Sequence, residues 1–248
     1  MLIKAAINGG RTRTEHAAVP INPDEQATAV ADCLKAGANA IHLHVRSTSS
    51  VASSQSEKES LYAEDVARTL SAVRSVSPKA KIGVSTGAWI LPDPTARLQA
   101  VTEWEVLPDF ASVNFSEDGA TELAILLLSR GVDVEAGLCD ADAAEVFVKS
   151  SLAPRCIRVL LEPQEQEIKH ALENGGAIEK VLSPGLLGLP RELPFLLHGT
   201  EATAWPMMGE AVTRGYDVRI GLEDTLILPD GRMAQDNVEL VAEAVRRV

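Results

Sequence analysis

Strand-like and helix-like segments alternate without a break along this 248-residue chain, and that alternation excludes most folds. Parallel strands need a crossover between them, and a helix is the usual one. Residues 2–8 read as a strand that Gly9-Gly10 ends. Asn22-Pro23-Asp24-Glu25 then opens a helix with a capping Asn, Pro at the first helical position and acids in the first turn, and Gly37 closes it. Further strands are expected over 40–46, 81–87, 110–115, 133–138, 156–161, 195–198 and 217–222. Helices are expected over about 62–76, 94–105, 120–130, 140–150, 164–174, 202–214 and 236–248, the sixth of the eight ending at Gly175-Gly176. Eight units of each kind predict an α/β protein, a closed (β/α)8 TIM barrel, as one domain over 1–248. The rival is an open doubly wound sheet. It would carry G-x-G-x-x-G or a Walker sequence, whereas Asn8-Gly9-Gly10-Arg11 lacks the later glycine.

Composition narrows the class of partner. Hydrophobic residues are 46% of the chain but aromatics only 4%, so the core rests on Ala, Val, Leu and Ile. A net charge of −12 argues against nucleic acid or an anionic membrane as partner. Cys33, Cys139 and Cys156 are odd in number and show no C-x-x-C spacing, which fits a reducing cytoplasm rather than a disulfide framework. No apolar leader follows Met1, and no apolar run approaches the roughly 20 residues of a spanning helix. Association through the barrel helices predicts a homo-oligomer of unspecified size.

Catalytic groups of such a barrel gather at the C-terminal ends of the strands. The second strand reads Ala40-Ile41-His42-Leu43-His44-Val45-Arg46, and its period of two turns His42 and His44 to one face, about 7 Å apart. Interior layers are built from alternate strands, so Glu223, at the end of the eighth, can face them. Two imidazoles and a carboxylate suit Zn²⁺ and leave a position open for substrate. Arg219 and Asp224 make a second constellation. Five positions apart, they meet only if the chain turns by Asp224; the guanidinium then orients the carboxylate and holds it ionised. Other polar residues at strand ends are Asn8, Arg11, Glu15, Ser85, Thr86, Asn114, Glu117, Glu135 and His198.

With these motifs in order, the chain resembles the β-keto acid cleavage enzyme family. The resemblance rests on Ala5-Ala6-Ile7-Asn8-Gly9, on 41–46, on Ser85-Thr86-Gly87, on 218–224 and on 235–241. It implies a zinc-dependent barrel that condenses a β-keto acid with acetyl-CoA and cleaves the adduct to acetoacetate and a new acyl-CoA. By position it implies His42, His44 and Glu223 as zinc ligands and Asp224, oriented by Arg219, as the base. It also implies Ser85 at the substrate's carboxylate end and Glu135 as an acid on the fifth strand; Thr86 and Asn114, at the same strand ends, are expected beside the substrate. Where other members continue with an acidic, Gly-containing loop after Arg46, this chain has a serine-rich run over 47–56, expected to form a surface loop or a lid. Arg11 is expected to select an anionic or neutral substrate tail. Specificity is expected from the loops around Arg11, 47–56 and 186–191. The alternatives are a zinc hydrolase of the amidohydrolase kind, a CoA-independent zinc aldolase, and a barrel that binds metal or metabolite without turnover.

Overall fold

The computed structural model describes residues 1–47, 58–185 and 193–248. The serine-rich run from residue 48 and the 186–191 connection lie outside the described residues. Among the described residues the chain runs β1 (Ile3–Ala6), α1 (Pro23–Ala36), β2 (Ala40–Leu43), α2 (Ala63–Val76), β3 (Ile82–Ser85), α3 (Pro94–Thr102), β4 (Phe110–Asn114) and α4 (Ala120–Ser129). It continues with β5 (Asp133–Leu138), α5 (Ala141–Ser150), β6 (Arg158–Leu161), α6 (Ile168–Gly185), β7 (Phe195–Leu197), α7 (Ala204–Arg214), β8 (Asp217–Ile220) and α8 (Asn237–Val245). The strands pair in parallel in chain order, and β8 pairs with β1 to close the barrel. The predicted (β/α)8 architecture is the one found.

Local chemistry sets the helix starts. Asn22 makes a capping box with Glu25, and Asp93, Asp140 and Asp236 each accept a backbone N–H of the turn they open. The sixth helix departs from expectation, because it runs through Gly175 and Gly176 to Gly185. Ala171, Ile178 and Leu182 bury one face of it completely, and that burial outweighs the roughly 1 kcal/mol by which each glycine disfavours a helix. No helix among the described residues is long and apolar enough to cross a membrane.

Alternate strand residues divide the interior into two environments. Ala5, Ile41, Leu43, Val84, Val113, Ala136, Val159, Val218 and Ile220 belong to the continuous apolar layer under the helices. Their neighbours point into the barrel, where the residues are largely polar. At the closed end Lys4 Nζ lies 2.6 Å from Glu135 Oε2, and Arg158 Nη1 lies 2.6 Å from Glu135 Oε1. Asp217 adds a longer contact to Arg158 Nε, 3.7 Å. Burial alone raises the Glu135 carboxyl, but Lys4 and Arg158 outweigh it and hold the group below its usual range. Burial lowers the Lys4 ammonium even against the attraction of Glu135.

This network corrects the expectation that Glu135 serves the chemistry. It is the third residue of β5 and fully buried, and both its oxygens are taken by cations. The same-face position nearer the mouth is Gly137. Glu135→Gln leaves Lys4 buried opposite a neutral amide and is expected to cost about 3–5 kcal/mol in denaturant unfolding. Lys4→Met in the same chain should restore part of that loss; an unchanged midpoint in the single variant contradicts the assignment.

Candidate active site

Two asparagines place the ends of the strands that carry the site. Asn8, fully buried just beyond β1, accepts the His44 N–H at 2.8 Å and donates to the His44 carbonyl at 2.9 Å. His44 lies one residue past the end of β2 and is held there by this double bond. Asn237 accepts the Leu222 N–H at 2.8 Å and donates to the Ile7 carbonyl at 2.8 Å, tying the end of β8 to that of β1. The chain turns immediately after β8, with Asp224 N donating to the Gly221 carbonyl at 2.9 Å. Gly9 (φ +53°) stands against the outgoing side chain, and a Cβ there would lie 2.4 Å from Glu223 Cγ.

These constraints bring His42, His44 and Glu223 together. His42 Nε2 and His44 Nε2 are 3.1 Å apart. Glu223 Oε1 is 3.3 Å from His44 Nε2, and Glu223 Oε2 is 3.6 Å from His42 Nε2. A tetrahedral ion with bonds of 2.0–2.1 Å has ligand–ligand edges of about 3.3–3.4 Å. Glu223 Oε2 is buried without a hydrogen-bond partner among the described residues, as expected of a ligand atom waiting for a cation. The donor set fits a divalent metal.

Glu59 was not foreseen. Backbone bonds Ser47 N to Lys58 O (2.8 Å) and Ser60 N to Val45 O (2.9 Å) join the two sides of the serine-rich segment. They bring the Glu59 carboxylate onto His44 Nδ1. Trp89 stacks on the His44 ring (centroids 6.1 Å) and donates its indole N–H to Glu59 at 3.1 Å. A carboxylate on Nδ1 fixes the tautomer and leaves Nε2 free to ligate. The sequence held no signal for it, since a lone Glu after a low-complexity run reads as surface.

Arg219 and Asp224 do meet. Arg219 Nη2 reaches Asp224 Oδ1 at 2.8 Å, Nε reaches Oδ1 at 3.1 Å and Oδ2 at 3.3 Å, and Nη2 also bonds Glu223 Oε1. The two carboxyls respond oppositely to this shared cation. Burial raises both, but Arg219, His44 and His42 together drive Glu223 well below its usual range, whereas burial prevails at Asp224 and raises it. Asp224 is therefore less firmly ionised than the sequence reading had it. Burial lowers His42 strongly. His44 also feels burial, yet Glu223 and Glu59 outweigh it and lift the imidazole to about 9.

A cavity of about 330 Å³ opens over the cluster, lined also by Ser85, Ser112, Asn114, Glu117, Glu162 and His198. The structure places three of the residues expected at the substrate as follows. Thr86 turns away and donates to the Ser112 carbonyl at 2.7 Å. Arg11 lies outside the cavity wall, bonded to the Leu222 carbonyl and neutralised by Glu15 and Glu201. Asn114 stays in the wall but gives its amide N–H to Glu117 at 2.9 Å. A larger groove of about 450 Å³ beside α1 is lined by Ala17, Val19 and Pro20 with Asp24 and Asp32. It contains none of the candidate groups, so chemistry rather than volume identifies the site.

Fold and cluster together define a (β/α)8 barrel with a His–His–carboxylate group at the C-terminal mouth of its sheet. Over residues 1–152 and 166–248 the chain matches the family described as beta-keto acid cleavage enzyme, and it belongs to that family. It is 29% identical to the 3-keto-5-aminohexanoate cleavage enzyme of Fusobacterium nucleatum, over 99% of this chain and 90% of that one. Identity to the Acetoanaerobium sticklandii enzyme of the same name is also 29%, with the same coverage. Among solved structures, ObcA in ternary complex with a C4-CoA adduct and oxalate superposes with a TM-score of 0.70 at 18% identity. That match covers 92% of this chain and 63% of ObcA, so the chain spans less than two thirds of ObcA's length.

Two outcomes follow from the geometry. The His44 proton contributes stability that is fully present below about 6.5, the ordinary histidine value, and is lost as pH rises through about 9. A divalent ion must displace that proton, so its affinity should rise up to tenfold per pH unit across this window and level off above it. Calorimetry in buffers of different ionisation heat should find about one proton released per ion at neutral pH, and a pH-independent affinity contradicts the scheme. Glu59→Gln should weaken ion binding about 10–100-fold without altering the circular dichroism of the fold.

Proposed function

We propose that the protein is a zinc-dependent enzyme that condenses a β-keto acid with acetyl-CoA and cleaves the adduct to acetoacetate and the CoA ester of the remaining acid. The observation that carries this reading is the His42–His44–Glu223 cluster opening on one cavity with Ser85, Ser112 and Asn114. Its support from similarity is the family and the two 3-keto-5-aminohexanoate cleavage enzymes. The ObcA complex with a C4-CoA adduct fits a CoA thioester as the second substrate.

His42, His44 and Glu223 would hold the metal, and Glu59 would orient His44. When bound, zinc supplies Lewis-acid polarisation of the keto oxygen and so eases loss of the adjacent proton. Ser85, at the end of β3, and Ser112, in the middle of β4, line the cavity with hydroxyls suited to a substrate carboxylate. Asp224, held by Arg219, is the carboxylate assigned to the proton-transfer step. The carbanion attacks the acetyl carbonyl and releases the CoA thiolate, which then takes the other acyl group. Each C–C and C–S bond broken is matched by one formed.

A coupled acetoacetate assay tests the whole reading. Zinc-loaded protein should release acetoacetate from β-keto acids only when acetyl-CoA is present, and His44→Ala should abolish the product. A panel of cationic, neutral and anionic tails then identifies the preferred acid. Hydrolysis of amides or lactones with no acetoacetate from any acid would replace this reading with a metallohydrolase.

A further inference from the structure

Gly137 is the lumen-facing residue of β5 above Glu135, and oxygens from the two neighbouring strands occupy the space its side chain would fill. A Cβ there would overlap Glu162 Oε1 and lie 2.7 Å from Asn114 Oδ1. Asn114 ends β4 in register with Gly137. Glu162 follows β6, and its N–H donates to the Leu138 carbonyl at 3.0 Å. Both side chains line the cavity, and both residues are only partly buried. The sheet closes in chain order, so β5 stands across the lumen from β1. β1 is flanked by β2 and β8, the strands of the His–His–carboxylate cluster, and β5 by β4 and β6.

Hydrogen-bonding capacity gives this wall a sign. The Asn114 amide N–H donates to Glu117 Oε1 at 2.9 Å. A carboxylate only accepts, so the amide nitrogen must face Glu117, which leaves Oδ1 toward Gly137. Glu117 is itself fixed, accepting the Ala88 N–H at 2.9 Å with Arg97 Nη1 at 3.7 Å. Glu162 Oε2 stands 3.4 Å from His198 Nε2 without a hydrogen bond. Among the described residues neither Asn114 Oδ1 nor Glu162 Oε1 receives a hydrogen bond. The Arg219 guanidinium is already shared by Glu223 and Asp224. Two acceptors therefore converge on one point for which the fold supplies no donor.

We propose that this point is a subsite for the far end of the β-keto acid, and that it selects a tail ending in a hydrogen-bond donor, a hydroxyl or an ammonium. This rests on the cleavage reading above and names its class of acid. With the keto acid end at the cluster and at the serines of β3 and β4, the tail extends toward β5 and β6. A donor there serves both oxygens at once. A methyl end would strip them of water and give no bond in return, and a carboxylate would set like charge against Glu162. A site built to bond an O–H or N–H rejects analogues without one, because its own polar groups are left unpaired. Selection thus passes from Arg11, which Glu15 and Glu201 already neutralise beyond β1, to the opposite side of the mouth.

Acids of equal length with hydroxyl, ammonium, methyl and carboxylate tails test the subsite, each assayed for acetoacetate with zinc-loaded protein and acetyl-CoA. The better donor acid should exceed the methyl and carboxylate acids at least about tenfold in kcat/KM, and the hydroxyl-to-ammonium ratio identifies the donor. Calorimetric binding without acetyl-CoA should rank the acids in the same order. Gly137→Ala puts a methyl group at the point and displaces the flexible end of Glu162, so it should reduce the preference to about threefold or less at unchanged zinc stoichiometry. If that variant folds poorly, Glu162→Gln takes its place and should lower the ammonium-to-methyl ratio. A methyl or carboxylate acid within about twofold of the better donor acid, or a preference intact in the variants, overturns the subsite and leaves the cleavage reading standing. No acetoacetate from any of these acids overturns both.

Discussion

One guanidinium, that of Arg219, is shared by two consecutive carboxylates, and the mouth of the barrel is arranged around it. Glu223 and Asp224 follow each other in the chain, yet they serve different neighbours because β8 has already ended and the backbone is turning. Glu223 swings toward the two imidazoles and Asp224 toward His198. Without the cation, two adjacent buried carboxylates would repel each other and one would be protonated. With it, one is held firmly ionised and the other is not. A single cation thus differentiates two chemically similar groups.

That arrangement is possible because the barrel separates its stabilising layer from its polar lumen. Apolar side chains from alternate strand positions pack under the helices. The inward positions are then free to carry Lys4, Glu135 and Arg158 at the closed end and the site residues at the open end. Charges in a lumen are costly to bury unless each finds a partner. In the closed-end network both oxygens of Glu135 find a cation, while Arg158 Nε keeps only a 3.7 Å contact to Asp217. At the open end Glu223 Oε2 and both nitrogens of His198 lack partners among the described residues. Those three atoms belong to residues that line the cavity, while the structural network below leaves Glu135 no unpartnered oxygen.

The connections after the strands do more than close the fold. Asn8 and Asn237 bind neighbouring backbone, not ligand, yet they decide where His44 and Leu222 sit. The segment after β2 returns alongside Val45 and Ser47 to deliver Glu59 to His44. Both devices hold a side chain's orientation through hydrogen bonds made outside the ligand set, which is how a site keeps its geometry on short strand ends.

Period and local chemistry were enough to read the barrel, the helix starts and the pairing of His42 with His44, because side-chain alternation and capping depend on neighbours in the chain. The proximity of Glu223 followed from the layering of strands, and that of Arg219 to Asp224 depended on a turn that strand periodicity could not supply. What failed at sequence level was depth. Glu135, Thr86 and Arg11 have the residue types of a site, but the fold gives them partners that residue type could not foretell: two cations deep in the lumen, a neighbouring strand's carbonyl and two carboxylates. Glu59 entered for the complementary reason, as its partner His44 lies 15 residues away along the chain. The sequence by itself determined which residues alternate, cap and turn, since those are local properties. Only the closed barrel decided which charges meet, because burial and distance across its lumen belong to the whole fold.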